Sequence, residues 1–201
     1  MTVTAGGDPA SARMACVLVH GRDQDEEVML DVVARLGLDD VAYVLPVSAE
    51  RSWYPGRYFD PVSENEPHLS RAIESCEAAL DQVSGLPTVL GGFSQGACVV
   101  AELLARRPRP LAGAAILTGS LLGRLAERTP ARLDGLPMYF GISRHDEWIA
   151  LEDARASADA LERAGAVVTF ETYEDRVHHV SDAAVAGLRA LFTGTAPAGA
   201  D

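Results

Sequence analysis

No lysine occurs anywhere in the 201-residue chain; its 17 basic residues, all arginine, face 29 acidic ones, leaving a net charge of −12. We read the missing lysine as the codon bias of a GC-rich genome rather than as a functional trait. The acidic balance excludes nucleic acid and an anionic membrane surface as partners. Cysteine is scarce too. Cys16, Cys76 and Cys98 lie scattered in apolar stretches, an odd set with neither a disulfide framework nor a metal-ligand spacing. Long hydrophobic runs are also lacking. The apolar run from Met14 to Val19 is far too short for a signal h-region or a membrane span, and no basic n-region precedes it. The expectation is a cytoplasmic protein that does not insert into membranes.

With 48% hydrophobic and 23% charged residues, the composition is that of a globular chain whose length suits one core. Internal repeats and linkers are missing as well. The predicted organisation is a single domain over 14–193, with residues 1–13 and 194–201, small and rich in Gly, Ala and Pro, as flexible tails.

Two segment types alternate along the chain. Short apolar runs at 15–20, 41–47, 87–93, 111–119, 137–143 and 167–173 read as buried strands. Amphipathic stretches at 25–36, 67–83, 95–106, 151–164 and 181–192 have helical period. Continuous apolar strands separated by helices indicate an α/β fold, with a mostly parallel sheet of six to seven strands covered on both faces. Too few residues separate the runs at 111–119 and 137–143 for a large cap domain.

In such sheets the functional crevice lies beyond the carboxyl ends of the strands. The residues found there are His20-Gly21-Arg22-Asp23, Gly92-Phe93-Ser94-Gln95-Gly96, Asp146, and the pair His178-His179. A Gly-x-Ser-x-Gly arises by chance in roughly 7% of chains of this length, so the motif alone decides little. Its position at a strand-to-helix junction, with an acid and a histidine after later strands, follows the chain order of nucleophile-elbow hydrolases. Ser94 is the candidate nucleophile, at the tip of a strained turn that Gly92 and Gly96 permit. Deprotonating its hydroxyl needs a base, for which His178 is favoured over His179. Asp146 would hold the imidazole tautomer, with Glu147 and Asp153 as the nearest substitutes. The backbone N–H groups of Gln95, at a helix start, and Arg22, after the first apolar strand, are the candidate oxyanion donors. His20 reads as a structural residue of that loop, and Cys98, one helical turn after Ser94, as a packing group facing away from it.

The segment "WYPGRYF" places Trp53, Tyr54, Tyr58 and Phe59 within seven positions. It reads equally well as a substrate-binding wall and as aromatic packing that pins a long loop. On the first reading Trp53, Tyr54 and Phe59 bind substrate, joined by Trp148. The run from Glu64 to Pro67 reads as entry to the next helix.

The segments "LVHGR", "GFSQGA", "DEWI" and "WYP…NEP", with the stretch from Tyr173 to His178, resemble the phospholipase/carboxylesterase family of small α/β-hydrolases, from about Cys16 to Leu191. The resemblance implies an α/β-hydrolase core, no cofactor, and hydrolysis of carboxylic esters or thioesters through an acyl-serine; no metal is expected, since that assignment takes up the clustered His and Asp residues and Cys/His spacing for zinc is absent. It places the nucleophile on Ser94, the acid on Asp146, the base on His178 and the oxyanion amides on Arg22 and Gln95. The partner it implies is a small-molecule ester, and the oligomeric state it suggests is a homodimer, although no exposed apolar stripe marks an interface. The chain departs from the family pattern at Asp23, Asp175 and Val177, where glycines are usual, and at His179. A thioesterase or lactone hydrolase would use the same residues; a catalytically silent small-molecule binder is the alternative outside enzymes. Serine at position 94 speaks against the dienelactone-type relatives, which carry cysteine there.

Overall fold

The computed structural model describes residues 1–125 and 128–194. Seven strands form one sheet in the order β1-β3-β2-β4-β5-β6-β7: β1 Thr2–Gly6, β2 Met14–Val19, β3 Val41–Pro46, β4 Thr88–Phe93, β5 Gly113–Leu117, β6 Pro137–Ser143 and β7 Val167–Tyr173. All neighbouring pairs are parallel except β1 with β3. Among the described residues four α-helices lie between strands and a fifth follows β7: α1 Glu26–Leu36, α2 His68–Asp81, α3 Gln95–Arg106, α4 Leu151–Arg163 and α5 Asp182–Thr193.

The central strands are apolar throughout because both of their faces are covered. Along β2, Ala15, Val17 and Val19 pack toward α2, α3 and α4, while Met14, Cys16 and Leu18 pack toward α1 and α5. Local signals set several helix ends. Asp25 caps α1 by accepting from the Glu27 N–H, and Gly37 closes that helix in the left-handed conformation. Ser181 caps α5 through the Ala184 N–H. Residues 118–136, between β5 and β6, hold no cap domain among the described residues.

The amino-terminal segment corrects the expectation of a flexible tail over 1–13. Thr2–Gly6 pairs antiparallel with β3, from Thr2 opposite Pro46 to Gly6 opposite Ala42. Val3 and Ala5 pack against the α1/α5 side of the core, while alternate residues face outward. A small-residue composition suggested looseness, but the Thr-Val-Thr-Ala alternation is what a half-covered edge strand needs. β7 forms the other edge and is more exposed than the buried strand expected at 167–173. Of the proposed carboxyl-terminal tail, Gly194 caps α5 and residues 195–201 lie outside the described residues.

One buried charge holds α3 in place. Glu102 is fully buried and accepts from Arg106 Nε at 2.7 Å, from Arg128 Nη1 and Nη2 at 2.9 Å, and from the Leu122 N–H at 2.9 Å. Arg106 also reaches Glu66 at 2.7 Å. Removing the central carboxylate would take this counter-charge from Arg128, leave Arg106 with Glu66 alone, and strip a buried amide of its acceptor. Glu102→Ala is expected to cost about 3 kcal/mol, the lower end of the range for breaking a buried pair because both arginines are partly exposed. Urea unfolding of the two proteins measures it.

Candidate active site

β4 is the middle strand, and Ser94 follows it directly with φ 54° and ψ −120°, in the positive-φ region that a non-glycine residue rarely adopts. Two backbone contacts fix the turn: Ser94 N–H donates to Leu117 O at 3.0 Å, and Ser94 O accepts from Cys98 N–H at 3.0 Å. The flanking glycines are demanded by close approach. A Cβ on Gly92 would lie 2.6 Å from Gly96 backbone atoms, and one on Gly96 would run into the Val19 and His20 carbonyl oxygens.

Three strand ends converge here. His178, in the loop after β7, places Nε2 2.8 Å from Ser94 Oγ and Nδ1 2.7 Å from Asp146 Oδ2. Asp146, in the loop after β6, spends its other oxygen on the N–H groups of Trp148 and Ile149, both at 2.9 Å. Its carboxylate is only 1% exposed. Burial alone would raise its pKa, but the His178 hydrogen bond and the two amides together outweigh that and hold it below the ordinary carboxylate value. His179 turns elsewhere: half exposed, it faces Asp175 at 3.3 Å. Glu147 and Asp153 do not take the place of Asp146, and Asp153 instead accepts from the Tyr58 hydroxyl at 2.8 Å.

Gln95 opens α3, so its N–H has no intrahelical acceptor. The Arg22 N–H lies between two amides that are already used, since Gly21 N–H donates to Gln24 Oε1 and Asp23 N–H to Arg51 O. Among the described residues neither the Arg22 nor the Gln95 amide has an acceptor, and both residues line one cavity with Ser94 and His178. Asp23, standing where glycine is usual, takes a left-handed φ of 58° and keeps the glycine-like turn. His20 is fully buried, and its desolvation lowers the pKa of the ring, leaving it neutral. Its Nδ1 then donates to Gly21 O at 2.7 Å, and its Nε2 accepts from Ser48 N–H at 3.1 Å.

The cavity measures about 390 Å³. Tyr54, Phe59 and Trp148 line it. Trp53 does not. It is buried behind the loop after β2, donating from Nε1 to His20 O at 2.8 Å and stacking obliquely on the His20 ring. Cys98 is the buried packing group expected, but it does not face away from the site, since it belongs to the cavity lining.

Sequence reasoning missed what holds the aromatic loop. The Arg22 guanidinium donates to the carbonyls of Tyr54, Pro55 and Gly56. The Gln95 side-chain carboxamide accepts from Trp53 N–H at 2.8 Å and donates to Tyr54 O at 2.7 Å. Buried Asn65 accepts from Gly56 N–H at 2.8 Å, so the run read as helix entry is also a loop anchor. The two residues whose amides are oxyanion candidates thus use their side chains to fix the cavity wall, a preorganised arrangement. Polar side chains at the first turn of a buried helix and after a buried strand were the available signal.

A mostly parallel sheet carrying a serine on a strained strand-to-helix elbow defines an α/β-hydrolase. The sequence profile of the phospholipase/carboxylesterase family matches residues 2–191, and the chain belongs to that family. A phospholipase/carboxylesterase from Dyadobacter fermentans is 26% identical, with a TM-score of 0.83, covering 92% of this chain and 91% of its own. A carboxylesterase from Mesorhizobium loti shares the fold at 21% identity and TM-score 0.74, covering 91% and 90%. SOBER1 of Arabidopsis thaliana does so at 19% identity and TM-score 0.75, covering 91% and 99%.

Proposed function

We propose that the protein is a serine esterase that cleaves small to medium carboxylic esters through an acyl-serine. The observation carrying this reading is the unbroken hydrogen-bond chain from Asp146 through His178 to Ser94, at 2.7 and 2.8 Å. Ser94 Oγ attacks the ester carbonyl while His178 Nε2 takes its proton. The carbonyl oxygen gains negative charge and is held by the Arg22 and Gln95 N–H groups, aided by the positive end of α3. His178 then delivers the proton to the departing alcohol, and the same steps with water release the acid. Asp146 keeps the proton of neutral His178 on Nδ1 and stabilises the imidazolium. No cofactor enters these steps. The three free, buried cysteines suit a reducing cytoplasm.

The test is a fluorophosphonate probe followed by peptide mass mapping. Stoichiometric labelling of Ser94 that disappears in Ser94→Ala supports the reading, and a panel of esters, thioesters and lactones then ranks substrates that the same residues could serve. An unlabelled, folded wild type would leave a small-molecule binder on the same fold.

A further inference from the structure

The cavity beside Ser94 has two unlike ends. At the outer end Phe59 and Trp148 are 54% and 61% exposed. The inner end is formed by Tyr54, Tyr58, Ile149 and Cys98, all buried, with Cys98 sealed from solvent. Cys98 stands one helical turn beyond Ser94, and its thiol meets the Tyr54 hydroxyl. Burial pushes that thiol up to about 11, so it is a neutral packing group and no rival nucleophile. Tyr54 is held twice over: its carbonyl accepts from both Arg22 and Gln95, and its side chain is buried.

Proton transfer decides which half of an ester meets which end. The departing oxygen must take its proton from His178 Nε2, so it leaves on the imidazole side, where the Trp148 ring lies 6.1 Å from that of His178. With the carbonyl oxygen on the Arg22 and Gln95 amides, the acyl group is directed away from His178, toward Tyr54 and Cys98. We propose that Cys98 and Tyr54 form the end stop of the acyl pocket and restrict the enzyme to short acyl groups, while the open end at Trp148 and Phe59 admits alcohols of varied size. This inference rests on the esterase reading above.

The experiment compares kcat/KM for p-nitrophenyl acetate, butyrate and octanoate in wild type, Cys98→Ala and Cys98→Leu. Ratios are taken within each protein, so a general loss of rate cancels. The wild type is expected to process octanoate at least about tenfold less efficiently than butyrate, since a methylene that meets a closed wall costs a factor of that order. Cys98→Ala should raise the octanoate-to-acetate ratio about tenfold, and Cys98→Leu should lower the butyrate-to-acetate ratio by a similar factor. Ratios unchanged in both variants would overturn the end stop and leave the esterase standing. If Cys98→Leu fails to fold by near-UV circular dichroism, Cys98→Ala decides alone. A wild type that hydrolyses none of the three esters and resists the fluorophosphonate removes both readings together.

Discussion

His178→Ala is expected to lower kcat/KM for a simple ester by about 10⁵-fold or more, while His179→Ala stays within about threefold of wild type. The two neighbours differ in where their rings point. His178 Nε2 lies 2.8 Å from Ser94 Oγ, against the Phe93 ring and beside Trp148. The imidazole of His179 is half exposed and engages Asp175. Without His178 no other described residue is placed to accept the serine proton: Asp146 sits behind the missing ring, and His20 is enclosed with both ring nitrogens already used. The residual rate, about 10³- to 10⁴-fold above water, would come from substrate binding and the two amides. Steady-state kinetics on both variants with p-nitrophenyl acetate makes the comparison. A larger loss in His179→Ala than in His178→Ala would mean that the loop after β7 adopts a different register in the working enzyme.

The adjacency of those histidines illustrates what a sequence can carry. The alternation of apolar runs and helical stretches, and the identity of the residues just beyond each strand, are local properties, so the layered sheet and the positions of Ser94 and Asp146 at strand ends were legible. Which of two consecutive histidines turns inward depends on the path of a loop that is tied elsewhere, with the Ser143 hydroxyl donating to Asp175 O. Long-range ties of that kind leave weak traces in a chain. Trp53 and Tyr54 are neighbours in the same aromatic run, yet one is buried behind the loop and the other lines the cavity, because Arg22, Gln95 and Asn65 grip the backbone around them. The edge strand Thr2–Gly6 was hidden by its small residues, since its stability comes from the open edge of β3 and little from its own composition.

Asp146→Asn is expected to reduce kcat by about 10⁴-fold without disrupting the site. The side-chain oxygen that accepts from the Trp148 and Ile149 amides would remain an oxygen, because two donors face it at 2.9 Å. The new NH₂ group would then face His178 Nδ1 in place of an acceptor. It can donate only to an unprotonated Nδ1, which drives the imidazole proton to Nε2, the atom that has to accept from Ser94. The base would thus be held in the wrong tautomer at an almost unchanged position. Stability should respond with a definite sign. Asp146 has a lower pKa folded than unfolded, so its contribution is fully present above the unfolded value of about 3.9 and disappears as the pH falls through the folded one. The variant should therefore melt below wild type at neutral pH, and the gap should narrow as acid protonates Asp146. Melting temperatures between neutral pH and about pH 3 follow that convergence. Full activity in Asp146→Asn, with the melting gap still present, would confine the carboxylate to a structural role and transfer the task of orienting His178 to its packing against Phe93 and Trp148.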